Sequence, residues 1–168
     1  MNELNFKIEE AVNEPIKGYE AGSLEKKSLK SKLNEMSSTE YDIPLIINGQ
    51  EIKTGNLGKC VMPHDHKHIL GHYHKASNKE VAMAIENLLD TWNTWSYTTL
   101  EERINIFKNM AKLLQTKYRD TINAATMLGQ SKNVFQAEID SACELIDFFN
   151  FNSQFLQQIC NDQPLISP

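Results

Sequence analysis

The sequence has few cysteines and no long apolar run. Its three cysteines, Cys60, Cys143 and Cys160, are widely spaced and odd in number, which gives no disulfide framework and no CxxC metal pair. No apolar stretch approaches the roughly 18 residues that a membrane-spanning helix needs. The net charge of −5 disfavours a general affinity for nucleic acid or anionic lipid. These features are typical of a soluble protein from a reducing compartment.

Several motifs of catalysis and nucleotide binding are also absent. No G-x-G-x-x-G run opens a helix, and the chain contains no P-loop, no G-x-S-x-G and no HExxH. The first ten residues are too acidic for a typical mitochondrial presequence and lack the apolar segment of a secretory signal. The sequence alone therefore predicts either a cytosolic protein or one whose presequence lies outside these residues.

The length of 168 residues fits one domain, with residues 1–22 as an extended arm and residues 23–168 as its body. Ser23 is placed to cap a short helix that carries Leu24, Leu29, Leu33 and Met36. Asn48-Gly49 between β-branched residues predicts a type I′ hairpin over 45–52. A second strand pair is expected at about 60–62 and 69–74.

From Ser77 onward the pattern is helical. Ser77 and Glu80 form a capping box, as do Thr99 and Glu102. A core stripe is expected at Val81, Ala84, Ile85, Leu88 and Trp92, and another at Ile104, Phe107, Ala111 and Leu114. A further helix at about 118–128 is expected to end at Gly129 as a left-handed residue. The order of arm, helix, four short strands and four helices predicts a mixed α/β chain whose apolar stripes need additional packing partners.

All five histidines lie within eleven residues, at positions 64, 66, 68, 72 and 74. Residues two apart in an extended segment point the same way, so the first three can converge on a metal. No Cys or Glu joins them at a familiar ligand spacing, and Gly71 interrupts the register. We therefore expect mainly hydrogen bonds from these imidazoles to the backbone, and keep a small His-rich α+β module that binds metal or docks a partner as the alternative.

Two residues near the C-terminal end are candidates for chemistry. Cys143 has acidic neighbours that would raise its pKa, so we predict a core residue rather than a nucleophile. Glu138 shares an apolar helix face with Phe135, Ala142, Leu145 and Phe149, because their spacing is 3, 4, 3 and 4. A carboxylate on such a face needs a partner. Spacing leaves two explanations open: Glu138 pairs with a basic residue or caps a neighbour, or it meets a cationic group of a ligand.

Three stretches resemble the 1-pyrroline-5-carboxylate dehydrogenase family of the aldehyde dehydrogenase superfamily. They are residues 13–16 with Gly22-Ser23, the hairpin residues Pro63, Asp65, His66 and His68, and residues 129–149 continuing to Phe151-Asn152. The third is the longest and most specific. The resemblance implies the N-terminal part of the aldehyde dehydrogenase fold, in which short β-hairpins precede a helical run. It further implies that residues 23–168 are a partial cofactor-binding domain, incomplete without downstream Rossmann-like and catalytic segments.

The function that the resemblance implies is oxidation of L-glutamate γ-semialdehyde to L-glutamate in proline catabolism. It also implies NAD, a mitochondrial matrix location with the cytoplasm as alternative, and a homo-oligomer. In such enzymes a cysteine thiolate attacks the aldehyde, and the motifs that carry this chemistry are not found here. The segment alone is therefore expected to be inactive, with no catalytic, cofactor or metal residue of its own. By resemblance, Glu138 is predicted to lie near the amino end of the substrate.

Overall fold

The computed structural model of the chain describes residues 9–162. Within them the strands are β1 Tyr41–Ile43, β2 Leu45–Ile47, β3 Gln50–Ile52, β4 Leu57–Met62 and β5 Asp65–His74. The helices are α1 Leu24–Ser37, α2 Asn78–Ser96, α3 Leu100–Leu113, α4 Arg119–Gln130, α5 Val134–Ala137 and α6 Glu144–Asn161. Two π-helical turns complete the list: the first π turn Leu114–Tyr118 and the second π turn Glu138–Cys143. The α/β class is thus confirmed.

Residues 9–22, the described part of the arm, form no helix or strand. They lead into α1, whose first turn is capped by the Ser23 hydroxyl accepting from the backbone N–H of Lys26. The arm and α1 pack on α4 around Tyr19, Leu29 and Ala124. The predicted division of the chain at residues 22 and 23 stays a prediction, and residues 1–8 of the arm lie outside the described residues.

The strands form two small sheets. β2 and β3 make the expected antiparallel hairpin, with positive φ angles at Asn48 and Gly49 as a type I′ turn requires. β4 and β5 pair antiparallel, and β1, which the sequence pattern missed, adds to β5 in parallel. Gly71 is necessary here, because a Cβ at this position would lie 2.5 Å from the backbone oxygen of Tyr41. The five strands therefore replace the four that were expected.

The helical part follows the predicted starts but not all of the predicted ends. Both capping boxes form, at Ser77 with Glu80 and at Thr99 with Glu102. The expected end at Gly129 is wrong: α4 continues through Gln130, and Ser131 takes the left-handed conformation with φ 55°. The first π turn joins α3 to α4 and the second joins α5 to α6, so the chain forms two long interrupted helices.

The predicted apolar stripes differ in how well they are covered. Ile104, Ala111 and Leu114 are buried, as expected, and the last two pack with Ile146 of α6. Phe107, which was predicted for the same stripe, is 44% exposed. The stripe of α2 is not a core: Leu88 and Trp92 are 69% and 68% exposed. Phe135 was predicted on the same face as Glu138, but it is 56% exposed whereas Glu138 and Ala142 are buried.

Among residues 9–162, no helix is both long and apolar enough to span a membrane.

Candidate functional site

A buried cluster of charged and polar groups joins the arm to α4 and to the second π turn. Its centre is the ion pair between Arg119, the first residue of α4, and Glu138, the first residue of the second π turn. Both side chains are buried, at 4% and 0% exposure. The pairing is the first of the two explanations that the sequence left open for Glu138.

Four groups of the protein donate hydrogen bonds to Glu138. Its Oε1 accepts from Arg119 and from the backbone N–H of Lys17 at 2.8 Å. Its Oε2 accepts from the Tyr19 hydroxyl at 2.7 Å and from Asn123 Nδ2 at 2.8 Å. Both carboxylate oxygens are therefore occupied, and no surface of Glu138 is open to a ligand in this conformation.

These contacts decide the ionisation of the cluster. Burial alone would raise the pKa of Glu138, but the hydrogen bonds from Arg119, the Lys17 backbone, Tyr19 and Asn123 outweigh it and lower the pKa to about 2. Burial and the hydrogen bond to Glu138 raise the pKa of Tyr19 well above its ordinary range. The cluster thus holds a fixed carboxylate and a fixed guanidinium at neutral pH.

The arm supplies a second carboxylate to Arg119. Glu14 pairs with Arg119 Nη1 and accepts from Gln115 Nε2 at 2.6 Å, and Arg119 Nη2 donates to the backbone oxygen of Pro15 at 2.8 Å. A guanidinium has five N–H donors in a planar fork, which suits several acceptors at once. Sequence spacing gave no signal for Glu14 or Arg119, because they are 105 residues apart.

Cys143 closes the same cluster and is a core residue, as predicted. Its Sγ lies 3.3 Å from Arg119 Nη2 and 3.7 Å from Glu138 Oε1. Burial and then the charge of Glu138 raise the pKa of the Cys143 thiol to about 11. The buried thiol is thus protonated at neutral pH and is a poor nucleophile.

Four of the five histidines take part in separate contacts, and His72 Nδ1 lies 2.7 Å from a carboxylate oxygen of Glu40. His68 Nε2 lies 2.8 Å from the Ser37 backbone oxygen, and His64 Nδ1 lies 2.6 Å from Ser131 Oγ. His74 Nδ1 accepts from the Gly55 backbone N–H at 3.0 Å, so its Nε2 carries the proton donated to Asp42. The expected hydrogen bonds to backbone are confirmed for His68 and His74.

The alternative of a metal module is not supported. Met62 pairs with Asp65 and Val61 with Ile69, so residues 66–68 bulge from the ladder and the alternation needed for convergence is lost. In the part of the chain that the structure describes, no three His, Cys, Asp or Glu side chains lie together as metal ligands.

A separate open cavity of about 340 Å³ lies on α6. It is lined by two carboxylates, three aromatic rings and one amide: Glu144, Asp147, Phe148, Phe151, Asn152 and Phe155. Asp147 accepts from the arm, through Asn13 Nδ2 at 2.8 Å and the Glu14 backbone N–H at 2.7 Å. Glu144 is exposed. A carboxylate beside aromatic faces is suited to an organic cation.

The chain is similar to known proteins in both sequence and fold. The profile of the aldehyde dehydrogenase family matches residues 52–165. The chain belongs to the aldehyde dehydrogenase family. It is 41% identical over 153 residues to the mitochondrial delta-1-pyrroline-5-carboxylate dehydrogenase of Dictyostelium discoideum, covering 91% of this chain and 27% of that protein. It is 42% identical over 160 residues to the delta-1-pyrroline-5-carboxylate dehydrogenase of Agaricus bisporus, covering 95% of this chain and 29% of that protein.

A solved structure of the family is similar along nearly the whole chain. The delta-pyrroline-5-carboxylate dehydrogenase of Mycobacterium tuberculosis, bound with NAD, matches with a TM-score of 0.92 and 37% identity. The match covers 97% of this chain and 31% of that one. The chain thus spans roughly 30% of the length of these aldehyde dehydrogenases. The predicted resemblance and the predicted partial aldehyde dehydrogenase fold are confirmed.

The described residues of this family member do not form a dinucleotide cradle. The starts of α1, α2, α3 and α5 are each occupied by a capping side chain, from Ser23, Ser77, Thr99 and Asn133. A pyrophosphate needs free amide groups at a helix start. These four helix starts are therefore not available to a pyrophosphate.

Proposed function

We propose that the chain acts in the NAD-dependent oxidation of L-glutamate γ-semialdehyde to L-glutamate in proline catabolism, as the portion of the dehydrogenase that carries the arm, the two small sheets and the interrupted helices. The observation that carries this proposal is the 37% identity and TM-score of 0.92 over 97% of the chain with a pyrroline-5-carboxylate dehydrogenase. A mitochondrial matrix location, with the cytoplasm as alternative, and a homo-oligomeric enzyme belong to the same proposal.

The chain by itself is expected to be inactive. Cys143 is buried and its raised pKa keeps the thiol protonated, so it does not supply the thiolate that aldehyde oxidation needs. No capped helix start offers a place for the pyrophosphate of NAD. We propose that these residues instead form one wall of the substrate site.

The carboxylate best placed to meet the substrate's ammonium group is Glu144. It is exposed in the cavity on α6 beside Phe148, whereas Glu138 is buried and fully bonded within the protein. The predicted direct contact between Glu138 and substrate stays a prediction, and the geometry supports an indirect role for Glu138 better.

The test is complementation. The 168-residue chain is mixed or co-expressed with the remaining residues of the Agaricus bisporus relative, and NADH formation is followed with the semialdehyde as substrate. We expect activity from the mixture and none from either part. NADH formation by the 168-residue chain alone, or an inactive mixture in which the two parts co-purify as one complex, would overturn the proposal.

The roles of the two glutamates are separated in the same assay. Glu144→Gln should raise KM for the semialdehyde at least tenfold with KM for NAD unchanged, while Glu138→Gln should mainly lower the melting temperature. A raised KM with an unaltered melting temperature in Glu138→Gln would instead restore the direct contact.

A further inference from the structure

The two π turns meet at one residue. Arg119 directly follows the first π turn, and it contacts both the first and the last residue of the second, Glu138 and Cys143. In a regular α-helix, residues five apart point about 140° away from each other. Arg119 reaches both side chains because the wider π turn brings them to the same side of the helix.

The arm contacts the chain on both sides of the second π turn. At its start, Glu138 accepts from the Lys17 backbone and from Tyr19. Beyond its end, one turn into α6, Asp147 accepts from Asn13 and from the Glu14 backbone. The arm therefore spans the turn and fixes its first residue relative to the residues after it.

The position of this π turn along the chain determines which side chains of α6 line the cavity. A π turn inserts one residue, so its loss or its movement past Glu144 would rotate the following side chains by about 100°. Such a rotation would turn Glu144 and Phe148 away from their present positions in the cavity wall.

We infer that Asn13 and Glu14 of the arm, together with Arg119 of α4, clamp the second π turn in register, and that these three are positioning residues for the cavity lined by Glu144 and Phe148. The importance of the clamp for catalysis rests on the proposed function. The clamp itself does not, since it concerns only contacts within this chain.

The labelling rate of the Cys143 thiol measures whether the clamp is intact. In a chain carrying Cys60→Ser and Cys160→Ser, Cys143 is the single thiol and is 5% exposed. We expect the combined variant Asn13→Ala with Glu14→Gln to increase its labelling rate by a soluble disulfide reagent at least tenfold. The matched control is Asp140→Asn, which removes an exposed carboxylate of the same π turn that pairs with Lys132 instead of the arm.

Amide hydrogen exchange distinguishes a released clamp from general destabilisation. Faster exchange confined to residues 138–147 and the arm supports the inference, together with changed Cα chemical shifts in the same segment. An unchanged labelling rate, or exchange that accelerates equally in α1 and α3, would overturn it. Arg119→Lys provides a second variant, because lysine keeps the charge but lacks the planar fork, and it should increase labelling in the same way.

The complemented enzyme separates this inference from the proposed function. The Asn13→Ala, Glu14→Gln variant should raise KM for the semialdehyde and leave KM for NAD unchanged. Faster Cys143 labelling with an unaltered KM would keep the clamp and refute the cavity as the substrate site, whereas unaltered labelling would refute the clamp whatever the kinetics.

Discussion

Replacing Glu138 with glutamine keeps the size of a fully buried side chain and removes its charge. Four protein groups donate to the carboxylate, and an amide accepts only through its one oxygen. The glutamine NH₂ would therefore face donors from Tyr19 or Asn123. Arg119 would keep Glu14 as a partner, so the guanidinium would not be left unpaired.

The expected loss follows from the pKa of Glu138. Its fall from the ordinary value of 4.5 to about 2 corresponds, at about 1.4 kcal/mol for each pKa unit, to roughly 3 kcal/mol of stability at neutral pH. The direct cost of breaking a buried ion pair, about 3–5 kcal/mol, is of the same size. We therefore expect Glu138→Gln to lower the free energy of unfolding by about 3 kcal/mol at pH 7.

The effect should depend on pH in a defined direction. The unfolded chain protonates Glu138 near pH 4.5 and the folded chain only near pH 2, so the stabilisation is complete above about pH 5 and is lost as the pH falls toward 2. Urea unfolding followed by far-ultraviolet circular dichroism at pH 7 and pH 3 measures it. The difference between the wild type and Glu138→Gln should shrink to less than half at pH 3. A difference below 1 kcal/mol at pH 7, or one that is the same at both pH values, would refute the reasoning.

Three further predictions use the same urea assay. Tyr19→Phe should cost about 2 kcal/mol, because it removes a hydroxyl donor to the charged Glu138 without changing the ring. Gly71→Ala should destabilise the sheet, since the new Cβ would lie 2.5 Å from the Tyr41 backbone oxygen, and a loss of less than about 1 kcal/mol would contradict that close approach. Ser77→Ala should cost about 1 kcal/mol by removing the capping box of α2, and no change would mean that the cap is not formed in solution.

Local patterns predicted local structure well. The Asn48-Gly49 turn, the capping boxes and the Ser23 cap depend on residues within four positions of each other, and each formed as expected. The burial of Glu138 followed from its place on an apolar face. Its partner Arg119 did not, because Arg119 is brought there by the packing of two helices and not by sequence spacing.

The predictions that were wrong concern features that depend on contacts between residues distant in the sequence. β1 has three residues and pairs in parallel with β5, about 30 positions later. Because no hairpin turn links the two strands, no local pattern predicts β1. The stripes of α2 and Phe135 were expected to be buried because their periodicity is helical, but periodicity shows which face is apolar and not what covers it. The two π turns carry no local sequence signal that distinguishes them from a continuous α-helix.

The uncovered face of α2 has a thermodynamic consequence. Leu88, Leu89 and Trp92 are each more than two thirds exposed before unfolding begins, so unfolding adds little to their hydration. Both the heat capacity of unfolding and the urea m value scale with newly hydrated surface. We therefore expect a smaller heat capacity of unfolding and a smaller m value for this chain than for an ordinary domain of equal mass. Its unfolding should extend over a broader range of temperature and denaturant concentration.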